Sequence, residues 1–341
     1  MTSNKVEDRS LENEANLLDG REESKVSDRS EEPSGYFDIE TFEFAEAEFS
    51  ELTNTLPLGM FVDGEHLRSI QLVNRLTTKI EIEVETIMKR HKRNLLEAAP
   101  YFLGKFIKSI GNYSLPAIQE KMGYSSIDRI FSGMYFCDVL HLILAVRTTT
   151  SGSEIFLQSK CPNCGGDNSD DPATGGHHLD TINVKYLDRE LTEPLGFLVK
   201  LKDGLPDADS QDADGKIVPK YSKQFILQPY KWAQARKVLG GKKTDKSTAH
   251  LPEDIVMLCQ MVKKISDSIL YGNVRGEVFN VNLYTEITLK DAAILKKAIQ
   301  KLQPGPEILV DIECIHCSHE YQESLPWANI RAFLFDVDSA A

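Results

Sequence analysis

Two short cysteine motifs decide how this sequence folds: residues 160–166 read Lys-Cys-Pro-Asn-Cys-Gly-Gly, and residues 313–319 read Glu-Cys-Ile-His-Cys-Ser-His. Each motif is a Cys-x-x-Cys, whose spacing lets both thiolates reach one metal ion. In the first motif, the proline after the first cysteine and the glycines after the second favour a tight turn. The four thiolates together predict one tetrahedral zinc site, with the ligands Cys161, Cys164, Cys314 and Cys317.

The same cysteines allow other interpretations. Vacant thiols or two separate disulfides would also use all four, although a reducing compartment favours metal over disulfides. Nearby histidines could replace a cysteine ligand, namely His177, His178, His316 and His319. A catalytic Cys-His pair would need a third, orienting group, and none accompanies the motifs. A closed four-cysteine site leaves no position for water or substrate, so we expect the zinc to be structural. No convincing active-site pattern occurs elsewhere in the sequence, so we expect that the protein is not an enzyme.

The motifs also divide the chain into segments. Residues 153–160 and 177–184 flank the first motif with strand patterns, and residues 307–313 and 320–327 flank the second. Strand, turn and strand make half of a zinc ribbon, so the sequence predicts a discontinuous zinc-ribbon β module. The predicted fold class is α+β. Its predicted segments are an acidic N-terminal arm (1–51), a helical domain (52–150), the first ribbon half (151–184), an inserted α+β domain (185–305), and the second ribbon half with the C-terminal segment (306–341).

The distribution of apolar residues predicts which helix is buried in the core. Residues 126–147 form the most apolar run of the chain, and a helix that is apolar on every side is buried. We therefore expect this helix at the centre of the helical domain. Asp138 and His141 lie three apart on it and are expected to be hydrogen-bonded core residues rather than a site. The patterns also predict a turn at Asp63-Gly64 and helices at residues 230–239, 252–271 and 289–302.

Charge is distributed unevenly along the chain. The 341 residues carry a net charge of −13, and residues 1–51 alone hold sixteen acidic and five basic residues. The rest of the chain is therefore nearly neutral. Residues 1–35 contain no aromatic residue and cannot bury a core, so we expect them to be disordered in isolation.

Residues 36–49 differ from the preceding segment because aromatic residues alternate with acidic ones. This pattern predicts an arm that docks on a basic, apolar surface of a partner or of a neighbouring copy of the chain. The alternative is that the segment pads the chain's own core as an edge strand, and the sequence favours neither. The docking residues of the predicted arm are Phe37, Ile39, Phe42, Phe44 and Phe49.

The composition also indicates where the chain is made and whether it binds nucleic acid. No apolar run is long enough to span a bilayer, and the N-terminus lacks the apolar core of a signal peptide, so we expect synthesis in the cytosol. A zinc-ribbon nucleic-acid-binding or transcription-associated factor is the alternative function. Phosphate contact requires clustered Lys and Arg, whereas acidic residues flank both motifs: Asp167, Asp170, Asp171, Asp311, Glu313 and Glu320.

Together these features resemble the T-even-type phage baseplate proteins of contractile tails and their relatives in contractile injection systems. The resemblance covers residues 52–330, and the acidic tail and the large insertion depart from the family pattern. It is carried by the helical domain, by the two cysteine motifs, and by Leu56-Pro57-Leu58-Gly59 with Val62-Asp63-Gly64-Glu65-His66-Leu67-Arg68.

The resemblance implies a non-enzymatic structural component of a tail baseplate, or a factor that assembles its hub. Other tail and baseplate proteins are the implied partners, with several copies in a symmetric assembly. The implied location is the virion, after synthesis in the host cytoplasm.

Overall fold

The computed structural model describes residues 36–73, 77–170, 175–192, 194–211, 214–239, 253–268, 281–326 and 330–335. All of them belong to one compact unit, Gly35–Ala341. Within these ranges the chain forms eleven α-helices, one 3-10 helix and seventeen strands, which confirms the α+β class. The predicted disorder of residues 1–35 lies outside the described residues.

The region predicted to be helical also contains a sheet. A four-stranded antiparallel sheet has the order β3-β4-β5-β6, so a purely helical domain over 52–150 is wrong. The elements up to the central helix are β1 (Phe37–Asp38), β2 (Ala45–Glu48), α1 (Phe49–Leu52), β3 (Thr55–Val62), β4 (Glu65–Leu72), α2 (Thr78–Arg90), α3 (Leu95–Leu103), β5 (Ile107–Ile110), β6 (Tyr113–Ser114), α4 (Leu115–Lys121), α5 (Asp128–Gly133) and α6 (Phe136–Ser151).

The β3–β4 hairpin explains why this sheet forms. Asp63 and Gly64 connect the two strands with φ angles of 52° and 82°. Two consecutive positive φ angles match the right-handed twist of paired strands, and Asp-Gly is a preferred sequence for such a turn. The predicted turn is confirmed, and it closes a hairpin.

The central helix is shorter than predicted. The expected helix over 126–147 is two helices, because the chain is extended at Met134 and Tyr135 between α5 and α6. At this break Tyr135 forms a β-bridge with Lys231, and the backbone N–H of Trp232 donates to Met134 O at 2.9 Å. From Cys137 to Arg147 every residue of α6 is buried, which confirms its position in the core.

Asp138 and His141 are core residues, as predicted. The Asp138 carboxylate accepts a hydrogen bond from the backbone N–H of Leu58 at 2.8 Å, and His141 Nε2 lies 2.9 Å from Leu52 O. Burial raises the pKa of Asp138 to about 7 and lowers the pKa of His141 to about 4. Asp138 therefore connects α6 to β3, and His141 connects α6 to the end of α1. Burial disfavours the charged form of each side chain.

These shifts predict opposite pH dependences. Asp138 contributes stability that is full below its ordinary pKa of 3.8 and is lost as pH rises through about 7, whereas the contribution of His141 is full above 6.5 and is lost as pH falls through about 4. In the wild type the two trends oppose each other. Asp138→Asn removes only the first, so the variant should gain up to roughly 4 kcal/mol relative to wild type between pH 4 and pH 8. Denaturant unfolding of both proteins across this range measures the difference, and a difference independent of pH would contradict the assignment.

The remainder of the described chain is richer in strands. Its main sheet has the order β1-β10-β13-β14, a second has the order β15-β9-β2, and β7-β8, β11-β12 and β16-β17 are two-stranded. The elements are β7 (Glu154–Ile155), β8 (His177–His178), a 3-10 helix (Leu179–Thr181), β9 (Asn183–Tyr186), β10 (Phe197–Pro206), β11 (Ser210–Gln211), β12 (Ile217–Val218), β13 (Tyr221–Leu227), α7 (Trp232–Leu239), α8 (Glu253–Met261), β14 (Val262–Ile265), α9 (Val281–Glu286), α10 (Leu289–Lys301), β15 (Gly305–Pro306), β16 (Leu309–Glu313), β17 (Glu320–Ser324) and α11 (Ile330–Phe335).

Two of the predicted helices in this region are confirmed and one is too long. Helices α7 and α10 lie where the patterns predict them. The prediction over 252–271 is wrong for residues 262–268, because β14 begins directly after Met261 and pairs with β13. Residues 252 and 269–271 lie outside the described residues. The predicted domain boundaries at 151, 185 and 306 stay predictions, since the described residues belong to one compact unit.

The predicted docking arm belongs to the chain's own core. Strand β1 pairs in parallel with β10, and β2 pairs with β9. Ile39, Phe42 and Phe49 are buried, and the Phe42 and Phe197 rings lie 4.9 Å apart in an edge-to-face arrangement. Phe37 and Phe44 are partly buried against the cluster that contains Ile39, Phe42 and Phe197. The docking prediction is wrong for the buried Ile39, Phe42 and Phe49, because their apolar surface is not available to a partner. For Phe37 and Phe44 it stays a prediction.

Candidate metal centre

The first motif forms a tight loop, here called knuckle 1 (residues 160–167). The backbone N–H of Cys161 donates to Gly166 O at 3.0 Å, and the N–H of Gly165 donates to Cys161 O at 2.9 Å. Lys160 and Asp167 form a β-bridge at its base. Gly165 has a φ angle of 72°, a conformation that glycine adopts without steric cost. These contacts turn Cys161 and Cys164 towards the same side.

The second motif repeats this loop, here called knuckle 2 (residues 313–320). The N–H of Cys314 donates to His319 O at 3.0 Å, and the N–H of Ser318 donates to Cys314 O at 2.8 Å. Ser318 occupies the position of Gly165 and has a φ angle of 51°. Two loops with one hydrogen-bond pattern therefore present two cysteines each.

The four sulfur atoms come together although residues 165–313 separate the motifs. The Sγ atoms of Cys161 and Cys317 lie 3.7 Å apart, and those of Cys164 and Cys314 also lie 3.7 Å apart. All four lie within 4.8 Å of one another. A tetrahedral ion with metal–sulfur bonds of about 2.3 Å places its sulfurs about 3.8 Å apart, whereas a disulfide requires about 2.05 Å. The geometry fits a four-thiolate metal site and contains no disulfide between these cysteines.

The site is half enclosed. Cys161 and Cys314 are 2% and 1% exposed, whereas Cys164 and Cys317 are exposed. The Asn163 side-chain amide, which lies 3.6 Å from Cys317 Sγ, and then the backbone N–H of His319 lower the pKa of Cys317. A lowered pKa favours the thiolate, which is the form of cysteine that binds metal.

Asn168 joins the two knuckles, and sequence reasoning missed it. Its Oδ1 accepts from the backbone N–H of Ile315 at 2.8 Å, and its Nδ2 donates to Glu313 O at 3.4 Å. The side chain is 9% exposed. An amide can act as donor and acceptor at once, so Asn168 holds knuckle 2 against the chain that follows knuckle 1. The one feature of the sequence that could have indicated Asn168 is its position as a polar residue four places after Cys164.

Asn168→Ala should loosen the site without removing a ligand. The substitution leaves the N–H of Ile315 and the carbonyl of Glu313 without their partner, a loss of about 1–3 kcal/mol in unfolding free energy. Thermal unfolding of the metal-loaded protein measures it. Asn163→Ala is the matched control, because Asn163 is exposed and makes a single contact to sulfur; equal effects of the two substitutions would contradict the bridging role.

The nearby histidines serve other contacts. His316 Nε2 donates to Asp167 O at 2.8 Å, and His177 Nε2 lies 3.5 Å from an Asp170 oxygen. In the part of the chain that the structure describes, the metal-binding cluster consists of the four cysteines alone. This bears out the choice of cysteine over histidine ligands.

The strands around the knuckles are only partly those predicted. Residues 309–324 form the expected hairpin, β16–β17, around knuckle 2. Around knuckle 1 the structure is less regular: β7 covers only Glu154–Ile155, and the predicted strand over 177–184 is split between β8 and β9 by a 3-10 helix. Backbone hydrogen bonds still join the two segments that flank knuckle 1, since the N–H of Asn168 donates to Ser159 O at 3.0 Å and the N–H of Asp170 donates to Leu157 O at 2.9 Å. The Asp170 side chain adds to this pairing, because its Oδ2 accepts from Leu157 N at 2.7 Å.

No helix among the described residues combines the length and the apolar character needed to cross a membrane. Comparison with protein-family models found no match, and neither the curated proteins nor the solved structures contain a significant match to this chain.

Proposed function

We propose that Cys161, Cys164, Cys314 and Cys317 hold one structural zinc ion. The observation that carries this proposal is the set of sulfur separations of 3.7 Å between the two knuckles. Four thiolates in a closed tetrahedron are a ligand set that zinc prefers and that leaves no position for substrate. Iron is the main competitor of zinc for four thiolate ligands, and elemental analysis distinguishes the two metals.

The energetics suit a structural role. Closing the long segment between the knuckles costs about 4 kcal/mol by (3/2)RT ln n. Structural zinc contributes about 10–16 kcal/mol at neutral pH in small sites. One ion can therefore hold residues 157–170 against the β16–β17 hairpin.

Elemental analysis of the purified chain tests the choice of metal. The expected result is zinc and no iron. Replacement by cobalt should then give the strong visible absorption of tetrahedral cobalt bound to four thiolates. A purified chain that holds iron, or whose cobalt spectrum indicates an open or octahedral site, would contradict the proposal.

We further propose that the chain is a non-enzymatic structural or assembly component of a contractile-tail baseplate that works through contacts with other tail proteins. Two features support this proposal: the resemblance carried by residues 52–330, and a metal site whose closed ligand set suits holding a shape rather than chemistry. The proposed location is the virion, after synthesis in the host cytoplasm.

Mass spectrometry of purified tails and of assembly intermediates tests the second proposal. Presence in both identifies a structural component, and presence in intermediates alone identifies an assembly factor. Absence from both would contradict the proposal. Salt-sensitive binding of the chain to DNA would instead favour the nucleic-acid alternative, which the acidic residues around the knuckles disfavour.

A further inference from the structure

The β16–β17 hairpin has one buried face and one exposed face. Partners in the strand register share a face, so Ile312 and Tyr321 lie together, as do Val310 and Glu323. Ile312 is buried, and Val310 and Tyr321 are partly buried against the main hydrophobic cluster. The opposite side, here called the outer hairpin face, is exposed at every position: Leu309, Asp311, Glu313, Glu320, Gln322 and Ser324.

The outer hairpin face carries a repulsive pair. Glu313 and Glu320 are direct cross-strand neighbours. Like charges in this position destabilise a sheet, and neither carboxylate has a cationic partner among the described residues. Asp311, on the same face, accepts from Gln322 Nε2 at 2.9 Å and has no ion-pair partner within the described ranges. A cation from outside the described chain would relieve this repulsion.

The backbone of β17 offers a free edge next to this face. The N–H of Cys314 donates to His319 O, and the N–H of Leu325 donates to Ile308 O. In an antiparallel pair, hydrogen-bonded positions alternate, so Ile312 and Tyr321 bond to each other while Glu320 and Gln322 direct their backbone groups outward. β17 has β16 as its single strand neighbour among the described residues. Such an edge is a template for an added strand.

At its Leu309 end the outer hairpin face meets a cleft of about 790 Å³. Phe136 and Tyr230 form an apolar wall of this cleft, with ring centroids 5.1 Å apart. Glu43 lines the rim without an ion-pair partner among the described residues, and Lys185 is shared between Glu46 and Glu307. The cleft thus continues an acidic surface and adds room for an apolar side chain.

We propose that the outer hairpin face and the free edge of β17 bind an extended segment of a partner protein that carries Lys or Arg at alternate positions. The backbone of the segment would add to β17, its cations would lie against Glu313 and Glu320, and an apolar residue would enter the cleft. A second copy of this chain would bring the same acidic residues and be repelled, as would nucleic acid. The inference rests on the proposed role in protein contacts.

Binding of a fluorescent heptapeptide with alternating Lys and Val to the metal-loaded full chain tests the proposal. Fluorescence anisotropy should show salt-sensitive binding, and a peptide with Glu in place of Lys should not bind. Glu313→Gln with Glu320→Gln should weaken binding at least about tenfold. The matched control, Glu51→Gln with Glu120→Gln, makes the same charge change at exposed acidic residues elsewhere and should leave affinity within about twofold.

A second variant tests the strand edge separately. Gln322→Pro removes an outward N–H and spares the β16–β17 hydrogen bonds, so it should weaken binding about tenfold while the metal content stays unchanged. Equal binding by wild type and both variants, absence of wild-type binding, or a wild-type dimer that Gln322→Pro abolishes would overturn the docking proposal. Metal content measured on the same samples tests the proposed zinc site separately.

Discussion

A Cys314→Ser chain is expected to lose its metal and at least about 4 kcal/mol of unfolding free energy. Cys314 is 1% exposed and its sulfur lies 3.7 Å from that of Cys164. A serine hydroxyl is a poor ligand for zinc beside three thiolates, and the β16–β17 hairpin would then be held to the knuckle 1 segment mainly by Asn168 and neighbouring side chains. Thermal unfolding with and without a chelator measures the loss.

Cys259→Ala is the matched control for this experiment. Cys259 is a buried cysteine outside the cluster. Its substitution should cost only the small packing loss of one sulfur, and the variant should remain sensitive to the chelator. Wild type treated with chelator should unfold like Cys314→Ser. A Cys314→Ser chain with the unfolding curve of untreated wild type would contradict a structural metal site.

An Asp291→Ala chain is expected to be the second strongly destabilised variant, by about 4 kcal/mol. The fully buried carboxylate accepts from three consecutive backbone N–H groups, those of Lys202 at 2.7 Å, Asp203 at 3.1 Å and Gly204 at 2.8 Å. These residues form the irregular part of β10, between its two stretches of pairing with β13. Without the carboxylate, part of this backbone would be left buried and without partners.

Asp267→Ala provides the comparison. Asp267 also accepts from two consecutive backbone N–H groups, those of Lys223 and Gln224, but it is only partly buried. Water can replace these bonds, so the expected loss is about 1–2 kcal/mol. Chemical denaturation of the two variants measures the contrast. Equal losses of unfolding free energy in the two variants would contradict the claim that burial makes the loss at Asp291 larger.

The cluster of four cysteines was predictable because it is built from two local pairs. The spacing of Cys161 with Cys164, and of Cys314 with Cys317, fixes two turns without any information from the rest of the chain. That the pairs meet was an inference from thiolate chemistry. Asn168 was not predictable, since its two hydrogen bonds join backbone atoms far along the chain and no local pattern encodes them.

The fold was predictable where one residue pattern sufficed. The apolar run of α6 predicts burial on every side. By contrast β3 is buried at five consecutive positions from Leu56 to Met60, so it lacks the alternation that marks a strand. The four residues of β14 continue the pattern of α8 in the sequence, and only pairing with β13 makes them a strand. Long-range pairing overrode local preference there.

The arm shows the same limit. Aromatic residues alternating with acidic ones suit either a partner surface or an edge strand. The choice depends on Phe197, whose ring lies 5.9 Å from that of Phe37 and 4.9 Å from that of Phe42. A contact between residues so far apart in sequence has no local signature.

The most direct test of the proposed zinc site is native mass spectrometry of the full chain combined with alkylation of its thiols. We expect a mass increment of one zinc ion per chain and protection of Cys161, Cys164, Cys314 and Cys317 until a chelator is added. A chain that carries no metal and whose four knuckle cysteines react at once would contradict it.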